Sequence, residues 1–159
     1  MRTPNPLSLR AAHLIATLLL VVCVSVVSAH GSSRSATLEA IHKLENPLDL
    51  SRPGSRGELG PYQFRASTWR MHTSAPFEQA VERSVSDAVA VKHYEWLKRG
   101  LEAAHMPATA YNIALAWNSG LSATVSGRSP GVSHNYAERV SNLAATIDAK
   151  PLKLFASSP

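Results

Sequence analysis

Between Asn46 and Pro61 the sequence carries Pro47, Pro53, Gly54, Gly57, Gly60 and Pro61 among polar residues, and no helix or long strand survives that density. A second stretch, Ser119 to Ser133, is rich in Gly and Ser and holds Pro130. The two loops, each about 15 residues long, exceed ordinary connections and read as functional or mobile segments. They cut an otherwise helix-patterned chain into separate pieces.

The pieces follow from periodicity and caps. Thr37 offers an N-cap for a helix with Leu38, Ile41 and Leu44 at three-residue steps; it ends at Glu45, because Pro47 forbids continuation. Ser67 can cap a short helix with Trp69 and Met71. After Pro76 a helical pattern runs to about Ala104, with Phe77, Val81, Val85, Val89, Tyr94, Trp96, Leu97 and Leu101 available for a buried stripe. Ser84, Ser86 and Asp87 allow recapping mid-way, so two helices or one bent helix are expected. Ala110 to Asn118 is almost wholly apolar, as a central, buried helix would be. Asn135 to Ile147 is amphipathic, with Tyr136, Val140 and Leu143 inward. The fold class is mostly α, one helical domain over 37–147, with room for no more than a small hairpin in the first loop.

Residues 1–29 carry Arg2 and Arg10, an apolar run from Ala11 to Val27, and Val27-Ser28-Ala29 at its end, the three parts of a secretory signal peptide. Removing them leaves 159 − 29 = 130 residues and a charge of 14 − 11 = +3, with 30–36 as a flexible lead-in and 148–159 as a loose tail. The only cysteine, Cys23, leaves with the leader, and Val22 before it departs from the small residue a lipoprotein processing site wants. A thiol-free exported domain has no disulfide framework and no cysteine chemistry. The basic residues are dispersed, so nucleic acid is not an expected partner. A periplasmic or secreted monomer with no membrane span after leader removal is the expectation.

Among chemistry-bearing residues, His42, His72, His93, His105 and His134 show no pairing at metal-site spacing, and neither a G-x-S-x-G elbow nor a phosphate-cradling glycine loop occurs. Neither metal nor cofactor is expected, and the histidines read as surface or packing residues. What remains is Glu45, a carboxylate at a helix end facing a glycine-rich loop. An acid that donates a proton near neutral pH needs apolar surroundings, which Tyr62, Trp117 and Tyr136 would supply if they converge.

The order of the motifs is more specific than any one of them. Glu45 is followed by Gly57-Glu58-Leu59-Gly60-Pro61-Tyr62-Gln63-Phe64, then Ala116-Trp117-Asn118-Ser119-Gly120, then Asn135-Tyr136-Ala137-Glu138-Arg139-Val140. The series resembles the lysozyme-like lytic transglycosylases of the soluble type and their goose-type lysozyme relatives. Their motifs run Glu-Ser, Gly-x-x-Gly-Leu-Met-Gln, Ala-Tyr-Asn-Ala-Gly and Asn-Tyr-Val-x-Arg-Val. The 18-residue step from Glu45 to Gln63 matches the family's, and Thr68-Trp69 falls where the family often has Thr-Trp. The resemblance spans Leu38 to Leu143.

It implies a lysozyme-like helical domain with a central buried helix and a loop-rich cleft wall, acting on peptidoglycan glycan strands. Glu45 would be the single catalytic acid and base, cleaving the β-1,4 bond between N-acetylmuramic acid and N-acetylglucosamine with a 1,6-anhydro product. Gln63 and Tyr62 would contact sugar, Trp117 and Asn118 would line or brace the cleft, and Tyr136 would orient Glu45. Three positions depart from the pattern: Asn46 replaces the serine, Trp117 the tyrosine of Ala-Tyr-Asn-Ala-Gly, and Val132 a glutamate. Two other readings stand beside this one. The first is a hydrolytic muramidase with a second carboxylate, for which Asp49 and Glu58 are the nearby candidates and Asp49 the favoured one; the aspartate that invertebrate-type lysozymes carry eleven residues after the glutamate is Arg56 here. The second is a non-catalytic glycan-binding protein on the same scaffold.

Overall fold

A computed structural model describes residues 32–150; the leader and the tail from Pro151 lie outside the described residues. Among the described residues six α-helices and one 3-10 turn follow in order: α1 (Arg34–Glu45), α2 (Ala66–Arg70), the 3-10 turn (Phe77–Val81), α3 (Arg83–Ala103), α4 (Ala110–Ser119), α5 (Leu121–Val125) and α6 (Gly131–Ala149). No strand occurs among the described residues. The expected hairpin reduces to one antiparallel bridge between Leu59 and Phe64.

Helix α4 packs against α1, α3, α5 and α6, which makes it the centre its uniform apolarity calls for. Ala110, Ile113, Ala114, Leu115 and Ala116 are buried there. Around it, Ile41 of α1, Trp69 of α2, Leu97 and Leu101 of α3 and Val140 of α6 are fully buried, each stabilising the fold by roughly 1.5–3 kcal/mol through removal from water. Thr109 caps α4 by accepting from the Asn112 N–H.

Several boundaries differ from the pattern-based expectation. Helix α1 starts three residues before Thr37, inside the expected flexible lead-in, because Ser33 caps it: the Ser33 hydroxyl accepts from the Ala36 N–H and is itself clasped by the Asp148 carboxylate at 2.7 Å. Thr37 turns inward instead, its hydroxyl donating to the Ser33 carbonyl. The long pattern after Pro76 does divide, at Glu82, whose extended backbone separates the 3-10 turn from α3. Within the second loop the chain forms α5, and Leu121 seats it where a Cβ on Gly100 would come within 2.2 Å of the leucine side chain. Glycine inside α3 costs roughly 0.5–1 kcal/mol of helix stability; the gain is this close crossing. Helix α6 begins at Gly131, four residues before the expected Asn135, and runs to Ala149, two residues into the stretch 148–159 expected as a loose tail.

Candidate active site

Glu45 is the last residue of α1, a position set by Pro47 and by the Asn46 cap, whose N–H donates to the His42 carbonyl. Its carboxylate looks into a cleft of about 790 Å³ whose lining includes Arg56, Glu58, Gln63, His93, Trp117 and Asn118. Behind it, the Tyr136 hydroxyl donates to Glu45 Oε1 at 2.7 Å. Oε2 makes no hydrogen bond among the described residues, so it is the oxygen left to exchange a proton with a ligand. Burial pushes the Glu45 carboxyl above its ordinary value, the Tyr136 hydroxyl pulls it back, and the Glu58 charge adds to the rise. The net direction favours a protonated acid. Burial, together with the Glu45 charge, raises Tyr136 well above its usual range, so it remains a donor.

Four of the six residues singled out by sequence line one cleft: Glu45, Gln63, Trp117 and Asn118. Tyr136 reaches it through Glu45. Tyr62 does not take part: it is buried, and its hydroxyl donates to Asp87 at 2.6 Å. It packs beneath Trp117 at 6.0 Å between ring centroids, a supporting rather than a sugar-facing position. Gln63 sits at φ +46, a strained conformation for a non-glycine residue, and its side-chain amide donates to the Gly60 carbonyl at 2.8 Å. Asn118 accepts from the buried Ser133 hydroxyl at 2.7 Å, which leaves its amide N–H₂ without a partner among the described residues.

The loop wall is held by backbone economy. Asn46 is buried, and its amide donates to the carbonyls of Leu50 and Gly60 and accepts from the Leu50 N–H. The serine of the resembled family is too short for this threefold tie. Gly60, at φ +76, lies against Ala80: a Cβ there would come within 1.7 Å of the Ala80 carbonyl oxygen. Gly54 donates to the Glu58 carbonyl and Gly57 to that of Gly54, closing the turn that presents Arg56 and Glu58 to the cleft.

Of the two second-carboxylate candidates, Asp49 faces away. It accepts from His42 Nε2 at 2.7 Å; Nδ1 of that ring takes a hydrogen bond from Arg83, which can only donate, and this fixes the proton on Nε2. Glu58 lines the cleft. Burial opposes its ionisation, but the Arg56 and Glu58 N–H groups and the charges of Arg65 and Arg56 outweigh burial and hold it below the ordinary carboxylate range. Two carboxyls with opposite tendencies thus face one space.

His93, read from sequence as a packing residue, forms part of the cleft floor. It lies edge-on to Trp117 at 4.7 Å, stacks on Trp96 and shares a 2.9 Å hydrogen bond with His72. Burial, then the neighbouring His72, lowers its pKa to about 3, so the floor is neutral. Its partner stands 21 residues away in sequence, a separation that no local spacing rule detects. No protein-family model, curated protein or solved structure matches the chain.

Proposed function

We propose that the chain is a peptidoglycan lytic transglycosylase with Glu45 as its single catalytic acid and base. The supporting observation is the half-buried Glu45 at the end of α1, with Oε1 held by Tyr136 and Oε2 free toward a cleft that also contains Gln63 and Asn118. In this reading Glu45 Oε2–H protonates the leaving glycosidic oxygen as the C1–O bond breaks and positive charge develops on the muramoyl ring. The resulting carboxylate takes the proton of the muramoyl 6-hydroxyl, whose oxygen closes onto C1 to give the 1,6-anhydro product, and Glu45 is regenerated. A pKa raised in this way suits a group that must be protonated before reaction. The leader read from residues 1–29 would place such an enzyme outside the cytoplasmic membrane, where its polymer lies. Within the mostly helical fold, a lysozyme-like arrangement is part of the same proposal.

A hydrolytic alternative is favoured by one observation: Glu58, the more readily ionised carboxylate, shares the cleft, whereas Asp49 does not. Hydrolysis by retention or inversion uses such a pair. Product mass spectrometry after digestion of purified peptidoglycan separates the two, because anhydromuropeptides indicate transglycosylation and reducing ends indicate hydrolysis. Glu45→Gln should abolish muropeptide release, a loss of at least about 10³-fold, while retaining glycan binding. A wild-type protein that binds strands and releases nothing would instead be a non-catalytic binder.

A further inference from the structure

The cleft has a charged rim on one side only. Arg56 and Arg65 line the loop wall, whereas the facing stretch, Trp117 to Gly120, carries no charge. Both arginines stand close to a single carboxylate: the Arg56 N–H donates to Glu58 Oε2 at 2.9 Å, and Arg65 Nε lies 3.7 Å from Glu58 Oε1. The Arg56 guanidinium makes no hydrogen bond or ion pair among the described residues, and the Arg65 side chain is 55% exposed. With His93 neutral and burial driving the Glu45 carboxyl toward its protonated form, the lining holds two guanidinium groups against the Glu58 carboxylate. That surplus of planar, bidentate donors is suited to carboxylates on a ligand lying along the cleft.

We infer that Arg56 and Arg65 form a carboxylate-reading rim, so that the cleft selects an anionic β-1,4 glycan strand over a neutral one. The inference rests on the glycan reading of the site and adds the substituent chemistry: carboxylates carried on the sugars or on peptides attached to them. Glu58 acts as an internal competitor, occupying Arg65 until a ligand carboxylate arrives, while the Arg56 guanidinium stands open. Because both arginines are exposed, each contact is screened by water and salt, and the selectivity is moderate.

The test measures binding to the full chain carrying Glu45→Gln, which prevents cleavage. Four probes are compared: soluble peptide-bearing peptidoglycan strands, the same strands stripped of peptide by an amidase, strands whose carboxylates have been converted to methylamides, and chitohexaose. Carboxylated strands should bind about tenfold more tightly than the methylamide form at low salt, and the advantage should vanish near about 0.5 M NaCl. Adding Arg56→Gln and Arg65→Gln together should weaken carboxylated strands about fivefold and leave chitohexaose unchanged. Adding Glu58→Gln instead should strengthen carboxylated strands about twofold, the opposite sign. Amidase cleavage removes the peptide carboxylates and frees a lactyl carboxylate on each muramic acid, so retention of the advantage by stripped strands shows that a sugar carboxylate suffices for the contact, and its loss on stripping assigns the contact to the peptide. Equal affinity for carboxylated and methylamide strands overturns the rim while leaving the glycan reading intact. Failure to bind any of the four probes overturns both. The ligand comparison needs no arginine variant, so it holds even where a substitution disturbs folding.

Discussion

The two walls of the cleft are built by different means. On the helical side, Glu45, Asn118 and Tyr136 hang from α1, α4 and α6, which pack on one another through fully buried Ile41, Ile113 and Val140. On the loop side, residues 47–58 are exposed or half-buried, and the wall is fixed by the Asn46 amide, by a glycine pressed against a carbonyl, and by left-handed backbone at Gly57, Gly60 and Gln63. Positions on the helical wall are therefore set by many small packing contacts and tolerate single backbone changes. Those on the loop wall depend on a few specific groups and fail abruptly.

Gly60→Ala should break the comparison most severely. Its Cβ would meet backbone, the Ala80 carbonyl oxygen at 1.7 Å, so the loop or the 3-10 turn must move. A loss of about 3 kcal/mol or more in urea unfolding is expected. Gly57→Ala is the control: it has the same left-handed φ, +78 against +76, but nothing within 4 Å, so only the conformational cost of roughly 1 kcal/mol applies. Equal losses in the two variants would show that backbone strain, not the Ala80 contact, governs the wall.

Asn46→Ala comes next. It leaves the Gly60 and Leu50 groups without their side-chain partner, at a cost of about 2 kcal/mol. Because the tie spans the cleft loop, muropeptide release should fall more than stability predicts. Asn46→Ser, the residue of the resembled family, should recover little of either, since a serine hydroxyl cannot reach both carbonyls. Full recovery by serine would mean that the loop is positioned by something other than this clasp.

The same contrast explains what could be read in advance. Helix α4 was legible because uniform apolarity over Ala110–Asn118 admits few placements other than the centre; the pattern after Pro76 was legible as divided, but not where it divides, because Ser84, Ser86 and Asp87 lie inside α3 and the break falls at Glu82. The start of α1 was not, since Ser33 and Thr37 both suit an N-cap and the choice is made by Asp148, a residue 115 positions away. Helix α5 depends on the notch at Gly100, a tertiary fact that leaves no periodic trace. In the site, motif order brought together Glu45, Gln63, Trp117 and Asn118. Tyr62 was misassigned because an aromatic with a hydroxyl suits a sugar or a buried acid equally well, and Asp87 claims it. His93 and Glu58 escaped emphasis because what matters about them is the neighbours that folding supplies.

Glu45→Gln should reveal what it costs the helical wall to hold an acid. The folded-state pKa of Glu45 lies above its ordinary value of 4.5. Its ionisation is therefore penalised in the folded chain, and the penalty appears as pH rises through the folded pKa. At pH 7 the glutamine variant should be more stable than wild type, and the difference should close below about pH 4. Thermal melts across pH measure this; a variant less stable than wild type at pH 7 would mean that the ionised carboxylate is well satisfied.

The smallest expected effect is the one that compares the walls most directly, because Glu45 has one electrostatic neighbour on each. Tyr136, from α6, donates to the carboxylate and lowers its pKa, whereas Glu58, from the loop, repels it and raises it. If protonated Glu45 is the working acid, activity declines as pH rises through its pKa. Tyr136→Phe removes the stabilising donor, so the high-pH limb of kcat/KM should move to higher pH. Orientation is lost as well, and kcat at the optimum should fall about tenfold. Glu58→Gln removes the repulsion and should move the same limb to lower pH. Opposite displacements from two variants on opposite walls identify Glu45 as the titrating group between them. A limb that stays in place in both belongs to another residue, and displacement in the same direction would mean that the substitutions act by loosening the cleft and admitting water rather than through the carboxylate's charge.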